Sequence, residues 1–437
     1  MSSLHSCART QCANALLKLL IPAFCAYSPV WAQSIAIREL LARAEQSNRE
    51  LLAVRQRLDE AKGILRQAGV GPATTFQAGG VSGRPVGTVG EEQFSAGLSK
   101  TFETGGKRDR RIEVAGRQAE IATAEYEERI RLLRYDLQSR FVELVSSTRR
   151  LEVLDDQLSN LRHALELTRA RVVQGDAAVL EADLLSVEIG RIEAQRIVIS
   201  GNLDAMQVEL RRAAGLSPEE GVFVSPSYSL SDYSFTSADL ISRALRGRAD
   251  LKTARIREQE GDAEQRLAEA ESHANIAISA GYAFIKSRFD DQFGTTRAGA
   301  LVQLQDRDDV LSVSVSVPLF SRSRNQGNIE ASVARQRGAQ FQREALERAI
   351  PLEVAAAMRR LQSTKQALTA LSGPVLTQAA KNVEVIRQAY QLGQLRLLDV
   401  LNEQRRLLDL QLAKVDAEAE VLRSLTELEK AVGGELQ

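Results

Sequence analysis

Cysteine is scarce in this chain. Of 437 residues three are cysteine, and Cys7, Cys12 and Cys25 all lie near the start. The remainder has no thiol, which excludes disulfides, thiolate metal sites and cysteine nucleophiles there. Histidine is almost as thin. Beyond the start stand His163 and His273, with no paired spacing that would hold a metal. His163 has Glu166 three residues on, yet a solvated surface histidine is the plainer reading. No catalytic constellation is visible, so the expected activity is non-enzymatic, with no cofactor and no metal ligated by the protein.

Excess charge is missing as well. Lys and Arg number 57, and so do Asp and Glu, which leaves no basic surplus for nucleic acid. No segment after the start has eighteen consecutive apolar residues, so no transmembrane helix is expected. If the chain crosses a membrane, it does so with strands.

The first thirty-two residues (1–32) read as a secretory signal. Arg9 and Lys18, with no acid, precede the apolar stretch Leu19 to Val30. Val30-Trp31-Ala32 places small residues at −3 and −1, for cleavage before Gln33. The apolar run is short for a retained anchor. Phe24 stands before Cys25 where a lipoprotein signal wants a small residue.

What the chain does have is an internal duplication. Phe102-Glu103-Thr104-Gly105 and Phe320-Ser321-Arg322-Ser323 each end a strand-like run and open a long helix, 218 residues apart. Gly175 and Gly393, which end those helices, share the spacing, as do Ala213-Ala214-Gly215 and Ala431-Val432-Gly433. At the front of each half, Asn48-Arg49-Glu50-Leu51 answers Arg248-Ala249-Asp250-Leu251 at a spacing of 200. The shortfall of 18 predicts an insertion within the second strand pair, as a longer hairpin loop around Arg288 to Asp308. We therefore expect a first repeat over 33–215, a connecting segment over 216–247 and a second repeat over 248–437.

Each repeat reads as helix, two strands, long helix, turn, helix. From about Gly106 to Val172 apolar residues recur every 3.5 positions on average, from Ile112 and Ala115 through Leu137 and Phe141 to Thr168 and Val172. At 1.5 Å per residue such a helix is about 100 Å long. The same beat runs through Leu185, Ile189 and Ile192, and later through Leu398, Leu401, Arg405 and Leu408. A short helix near 35–69 and another near 177–214 together match the long helix, so the expected shape is a rod with the short pair stacked end to end. Pro351 and Pro374 should each kink or break the second long helix.

The strands alternate. Leu311, Val313, Val315 and Val317 interleave with Ser312, Ser314 and Ser316, giving one apolar, lipid-facing side and one polar side. Ile276, Ile278, Ala280, Tyr282 and Phe284 do likewise, while Phe94, Ala96, Leu98 and Phe102 share a face interrupted by Lys100. Runs of about ten residues suit tilted strands crossing hydrocarbon. Four strands cannot close a barrel, and lipid forbids open edges. Three copies would give twelve strands. The fold class is thus mostly α with a transmembrane β-barrel contribution.

In this form the chain resembles the TolC-like outer-membrane factors, over essentially the whole sequence after the signal. Three stretches carry the likeness. Gly393-Gln394-Leu395-Arg396-Leu397-Leu398-Asp399-Val400-Leu401 is similar to the family's periplasmic tip, with Gly175-Asp176-Ala177-Ala178-Val179-Leu180-Glu181 as a degenerate partner. Val317-Pro318-Leu319-Phe320 is similar to its last strand end. Phe102-Glu103-Thr104-Gly105-Gly106-Lys107-Arg108 resembles the CzcC-type branch, although Thr104 replaces an apolar residue.

The resemblance implies a homotrimer: a twelve-strand barrel in the outer membrane, bedded in lipid, continued by a helical tunnel through the periplasm. It implies a periplasmic adaptor and an RND-type inner-membrane pump as partners, and heavy-metal cations (cobalt, zinc, cadmium or nickel) as cargo. It places Asp399 in an acidic ring at the closed constriction, joined by Asn402, with Glu181 as the first-repeat equivalent and Arg396 pairing with either carboxylate. Gly175, Val179, Leu180, Gly393, Leu397 and Leu398 would meet the adaptor. Asp399 also reads as a plain helix-start residue favoured by the helix dipole. Asp290, Asp291, Asp306, Asp308 and Asp309 read as a solvated outer loop. The alternatives are a duct for drugs or for type I protein secretion and, of another class, a periplasmic coiled-coil adaptor or scaffold.

Overall fold

In the computed structural model residues 37–86, 90–217, 235–319, 323 and 325–436 are described. The signal over 1–32, most of the connecting segment and Phe320 lie outside them.

The first repeat comprises α1 (Ile37–Ser47), α2 (Arg49–Ala68), β1 (Thr75–Ser82), β2 (Glu92–Phe102), α3 (Lys107–Gln174) and α4 (Val179–Ala214). The second comprises α5 (Ser237–Gly247), α6 (Ala249–Glu271), β3 (Ile276–Thr295), β4 (Leu301–Ser316), α7 (Gln326–Ala370), α8 (Leu376–Gln391) and α9 (Leu397–Val432). The long helix forms as expected. Of the seam positions on α3, Ile112 is the exposed one, while Leu137, Leu154 and Leu161 are fully enclosed.

The single early helix expected near 35–69 is two helices. Asn48 leaves the helical region and caps α2, its Oδ1 accepting from Leu51 N at 2.9 Å. The break makes a joint. Asn48 Nδ2 donates to Ala213 O (2.7 Å) and Ser47 Oγ to Ala214 O (3.0 Å). Gly215 at φ 70° lets the end of α4 come so near that a Cβ there would stand 2.8 Å from Asn48 Cα. So α4 and α2 meet end to end beside α3, and α1 turns aside onto Leu137, Leu144 and Leu210. The second repeat builds the same joint with a cation. Arg248 ends α5, and a Cβ on Gly433 would stand 2.9 Å from its Cγ. The guanidinium binds Asp250 (2.6 Å), Glu353 and Ala431 O (3.3 Å).

Packing orders the helices in one layer. Towards the strands the rows run α2, α3, α6, α7, and towards the turns α4, α3, α9, α8. The second long helix departs from expectation at one proline. It breaks at Pro374, where Leu371–Val375 forms a π-turn and Gly373 leaves helical geometry (φ −87°, ψ −113°). It runs unbroken through Pro351. The flanking Ile350 and Val354 are fully buried with Leu240, Leu251 and Val432, so packing on both sides of the proline holds the helix.

The strands form one antiparallel sheet in the order β1-β2-β3-β4. The inserted residues do not make a loop. They lengthen the strands: β3 has 20 residues and β4 has 16, against 8 and 11 for β1 and β2. Their ladder continues past the end of β2, with a bulge between Arg288 and Phe293, to a turn at 296–300 closed by Thr296 N donating to Ala300 O (2.9 Å). Self-pairing satisfies most of the backbone of the insertion outside the bulge, which an open loop would leave to water.

Candidate efflux conduit

Register fixes what each sheet face presents. Phe76, Leu98, Ala280 and Val313 lie in one row across the four strands, and Ala78, Ala96, Tyr282 and Leu311 in the next. Val315 lies beside Ile278 in the row that contains Lys100, whose Nζ donates to Pro72 O at 3.1 Å, away from the apolar rows. Leu311 and Val313 are 80% and 70% exposed, so this apolar face is bare in a single copy. Val317 stands one residue past the end of β4, also exposed. The opposite face carries Thr75, Ser99, Ser279 and Ser314, with the last two hydroxyls 2.7 Å apart.

The heptapeptide Phe102 to Arg108 builds the elbow between sheet and helices. Gly105 and Gly106 turn the chain at φ 70°. Thr104 Oγ1 donates to Ala274 O at 2.5 Å, and Lys107 Nζ to His273 O (2.6 Å) and Asn275 Oδ1 (2.5 Å). Arg111 closes on Glu103, holding its carboxyl below the usual range. The hydroxyl of Thr104 thus has a task that an apolar residue there could not perform.

At the far end, Gly175 and Gly393 end α3 and α8 near left-handed turns, at φ 84° and 75°. Asp399 is exposed in the first turn of α9, its Oδ2 accepting from Arg396 N at 3.1 Å. Asn402 is exposed one turn on. The expected pairing of the Arg396 side chain is not what forms. Among the described residues its guanidinium has no carboxylate within 4.0 Å. Glu181 is held instead by Tyr390, whose Oη donates to Oε2 at 2.5 Å. Burial and this bond both push the Tyr390 phenol above its ordinary value. Arg171 lies over the Tyr390 ring (5.8 Å to its centre), and its Nη2 donates to Asp176 O at 3.2 Å.

Val179, Leu180 and Leu398 are exposed and available to a partner. Leu397 is not. It packs inward with Leu185 and Leu401, because the first turn of α9 closes onto α4 and α3.

Above the tip a second contact joins the repeats. Glu188 on α4 has a side chain 3% exposed, bound by Arg191 (2.8 Å) and by Arg405 on α9 (2.6 Å). Burial would raise its pKa, but the two guanidinium bonds outweigh that and hold it below the carboxylate range. Sequence reasoning did not pair these residues. The signal was there: Arg405 sits in the apolar seam of α9, and a cation in a seam calls for a buried anion.

Residues 40–216 and 240–434 match the family described as "Outer membrane efflux protein". The chain belongs to that family. The fold agrees. The channel CusC is 19% identical with a TM-score of 0.75, covering 91% of this chain and 92% of its own. VceC of Vibrio cholerae is 20% identical at TM-score 0.70, covering 92% and 97%. The CmeC outer membrane channel of Campylobacter jejuni is 12% identical at TM-score 0.73, covering 91% and 85%. No curated protein matches the sequence. This outer membrane efflux protein is therefore a channel component, not an enzyme, and it resides in the outer membrane and reaches into the periplasm. The reading as a periplasmic adaptor drops out.

Proposed function

We propose that three copies close into a twelve-strand barrel with a helical tunnel below it, exporting heavy-metal cations from periplasm to exterior. The observation that carries the closed ring is a pair of matching bare edges. β1 and β4 are the outer strands of the sheet, each lacking a partner on one side within the protomer. The helix rows end likewise, with Val187, Ile197 and Val208 exposed on α4 at one margin and Phe341, Leu352 and Val385 exposed on α7 and α8 at the other. A ring of three matches β4 to β1 and α7–α8 to α2–α4, removing every open strand edge that lipid forbids. The lipid-facing side is then that of Leu311, Val313 and Val315, and the Ser/Thr rows line the lumen.

At the tip, Asp399 and Asn402 from three copies surround the constriction, and the Arg171–Tyr390–Glu181 contact holds the second turn against the first. Val179, Leu180 and Leu398 offer apolar surface to a periplasmic adaptor, which hands cargo from an inner-membrane pump. The cargo rests on kinship. The heptapeptide Phe102 to Arg108 resembles the metal-efflux branch, and its polar groups close the elbow. A lumen that ligates its cation weakly suits a duct.

Deleting the gene and scoring growth on cobalt, zinc, cadmium and nickel salts beside a drug panel tests the cargo. Sensitivity to metals alone is expected. Sensitivity to drugs alone would give the duct to drug efflux.

A further inference from the structure

We propose that the outer end of the apolar sheet face holds the phosphate of a phosphorylated lipid headgroup in the outer leaflet. This rests on the reading of that face as lipid-facing.

The apolar rows run from Ile276 to Phe284 on β3. Eight residues at about 3.3 Å each, tilted about 40°, rise roughly 20 Å along a barrel axis, close to the height of an apolar barrel band. The next row outward on the same face changes character. Glu92, Lys286 and Arg307 stand side by side in register across β2, β3 and β4. Lys286 and Arg307 are direct cross-strand partners of like charge, an arrangement that destabilises a sheet unless an anion lies between them.

The charges nearby neutralise only the Arg307 side of this pair. Glu92 is engaged by Arg84 at 3.0 Å. Asp309 receives Tyr282 Oη and stands 3.8 Å from Arg307 Nε. Lys286 has no carboxylate within 4.0 Å among the described residues. Arg307 is oriented rather than loose, its guanidinium lying 4.7 Å from the centre of the Phe284 ring. Arg288 stands one row outward, its Nε donating to Gln303 Oε1 at 2.6 Å.

On this face three cations, Arg84, Lys286 and Arg307, therefore meet two carboxylates, Glu92 and Asp309, where hydrocarbon gives way to headgroups. A free anion would have no reason to choose the rim of an apolar band. A lipid phosphate does, because its acyl chains lie against Leu311, Val313 and Phe284 while its charge sits between Lys286 and Arg307.

The test uses purified full-length trimers in mixed micelles containing diphosphoryl lipid A, with bound lipid counted by native mass spectrometry. Lys286→Gln with Arg307→Gln should lower the affinity roughly thirtyfold, the scale two basic side chains give at an anionic surface. Arg337→Gln with Arg348→Gln, which removes equal charge from α7, should leave binding unchanged. Monophosphoryl lipid A should bind less, and phosphatidylcholine should not compete. If the Lys286/Arg307 double variant loses its trimers, the single changes Lys286→Gln and Arg307→Gln are read instead, each expected to weaken binding in part. Equal lipid A on wild type and variant overturns the proposal, as does displacement by millimolar inorganic phosphate, which would mark a free-anion site. Wild-type protein that forms no heat-resistant trimer and needs no detergent for extraction would sink the duct reading itself. Inserted trimers indifferent to lipid A sink this inference alone.

Discussion

The two long helices are equivalents in the duplication, yet they live in different surroundings. α3 is covered on both flanks, by α2 and α4 on one side and by α6 and α9 on the other. Its middle buries Tyr135, Leu137, Phe141, Val142, Leu144 and Val145. The counterpart α7–α8 is covered on one flank, and α8 buries a single residue, Ala379. One sequence unit repeated twice thus gives an inner helix and a marginal one. The difference teaches that burial in one copy describes only part of the molecule's packing, and that the bare flank of α7–α8 belongs to a neighbour.

That contrast is easiest to break with core truncations. Leu154→Ala on α3 should cost about 2–5 kcal/mol, since it leaves a cavity between α3, α4 and α9. Val385→Ala on α8 should leave protomer helicity intact and weaken only trimer association. Thermal unfolding by circular dichroism, read beside heat-resistant trimers on a gel, separates the two. Equal loss of helicity would erase the distinction between inner and marginal helices.

The sheet offers the same contrast between its faces. Val313→Arg puts a charge on the bare apolar side, at about 2–4 kcal/mol per protomer near the bilayer midplane. Ser314→Arg, one residue on and facing the other way, should be better tolerated. Trimer yield in membranes measures this, and equal yields would mean the apolar face does not meet lipid.

Between the covered and bare regions stands the Glu188 contact. Arg405→Met removes one partner of a buried carboxylate and should cost about 1–3 kcal/mol, whereas Arg396→Met at the exposed tip should cost little. The pH sense follows from the depressed pKa. Glu188 contributes stability above its unfolded value, and that contribution is lost as pH falls through the lower folded value. Thermal stability of the wild type should therefore hold from neutral pH down to about 4.3, the ordinary glutamate value, and fall below it. Arg405→Met should flatten the fall. An unchanged acid profile in that variant would deny the contact its role.

The sequence made some of this legible for a plain reason. Helix ends, the 218-residue period and strand alternation are local signals, and Gly175, Gly393, Leu311 and Val313 stand where those signals put them. Partnerships are not local. Tyr390 and Glu181 are 209 residues apart, Arg405 and Glu188 are 217. A heptad seam tells which side of a helix is covered but not by which neighbour, so the expected pairing of Arg396 with Glu181 or Asp399 does not form, and Leu397, expected to meet the adaptor, is buried. The break at Asn48 was hidden because the apolar beat continues across it. The insertion was read as a loop because the 18-residue shortfall falls between two strands, whereas strand pairing needs only the backbone.

The smallest expected energy has the most direct readout. Tyr390→Phe deletes one hydrogen bond, about 0.5–1.5 kcal/mol, at the contact that holds the second turn to Glu181. Single-channel conductance in planar bilayers tests the account of a trimeric duct closed at its tip. Wild type should conduct poorly, and Tyr390→Phe and Glu181→Gln should each raise open time or conductance. Asp399→Asn should weaken block by divalent cations. Pores that conduct freely in the wild type and respond to none of these changes, or no pores at all, would contradict it.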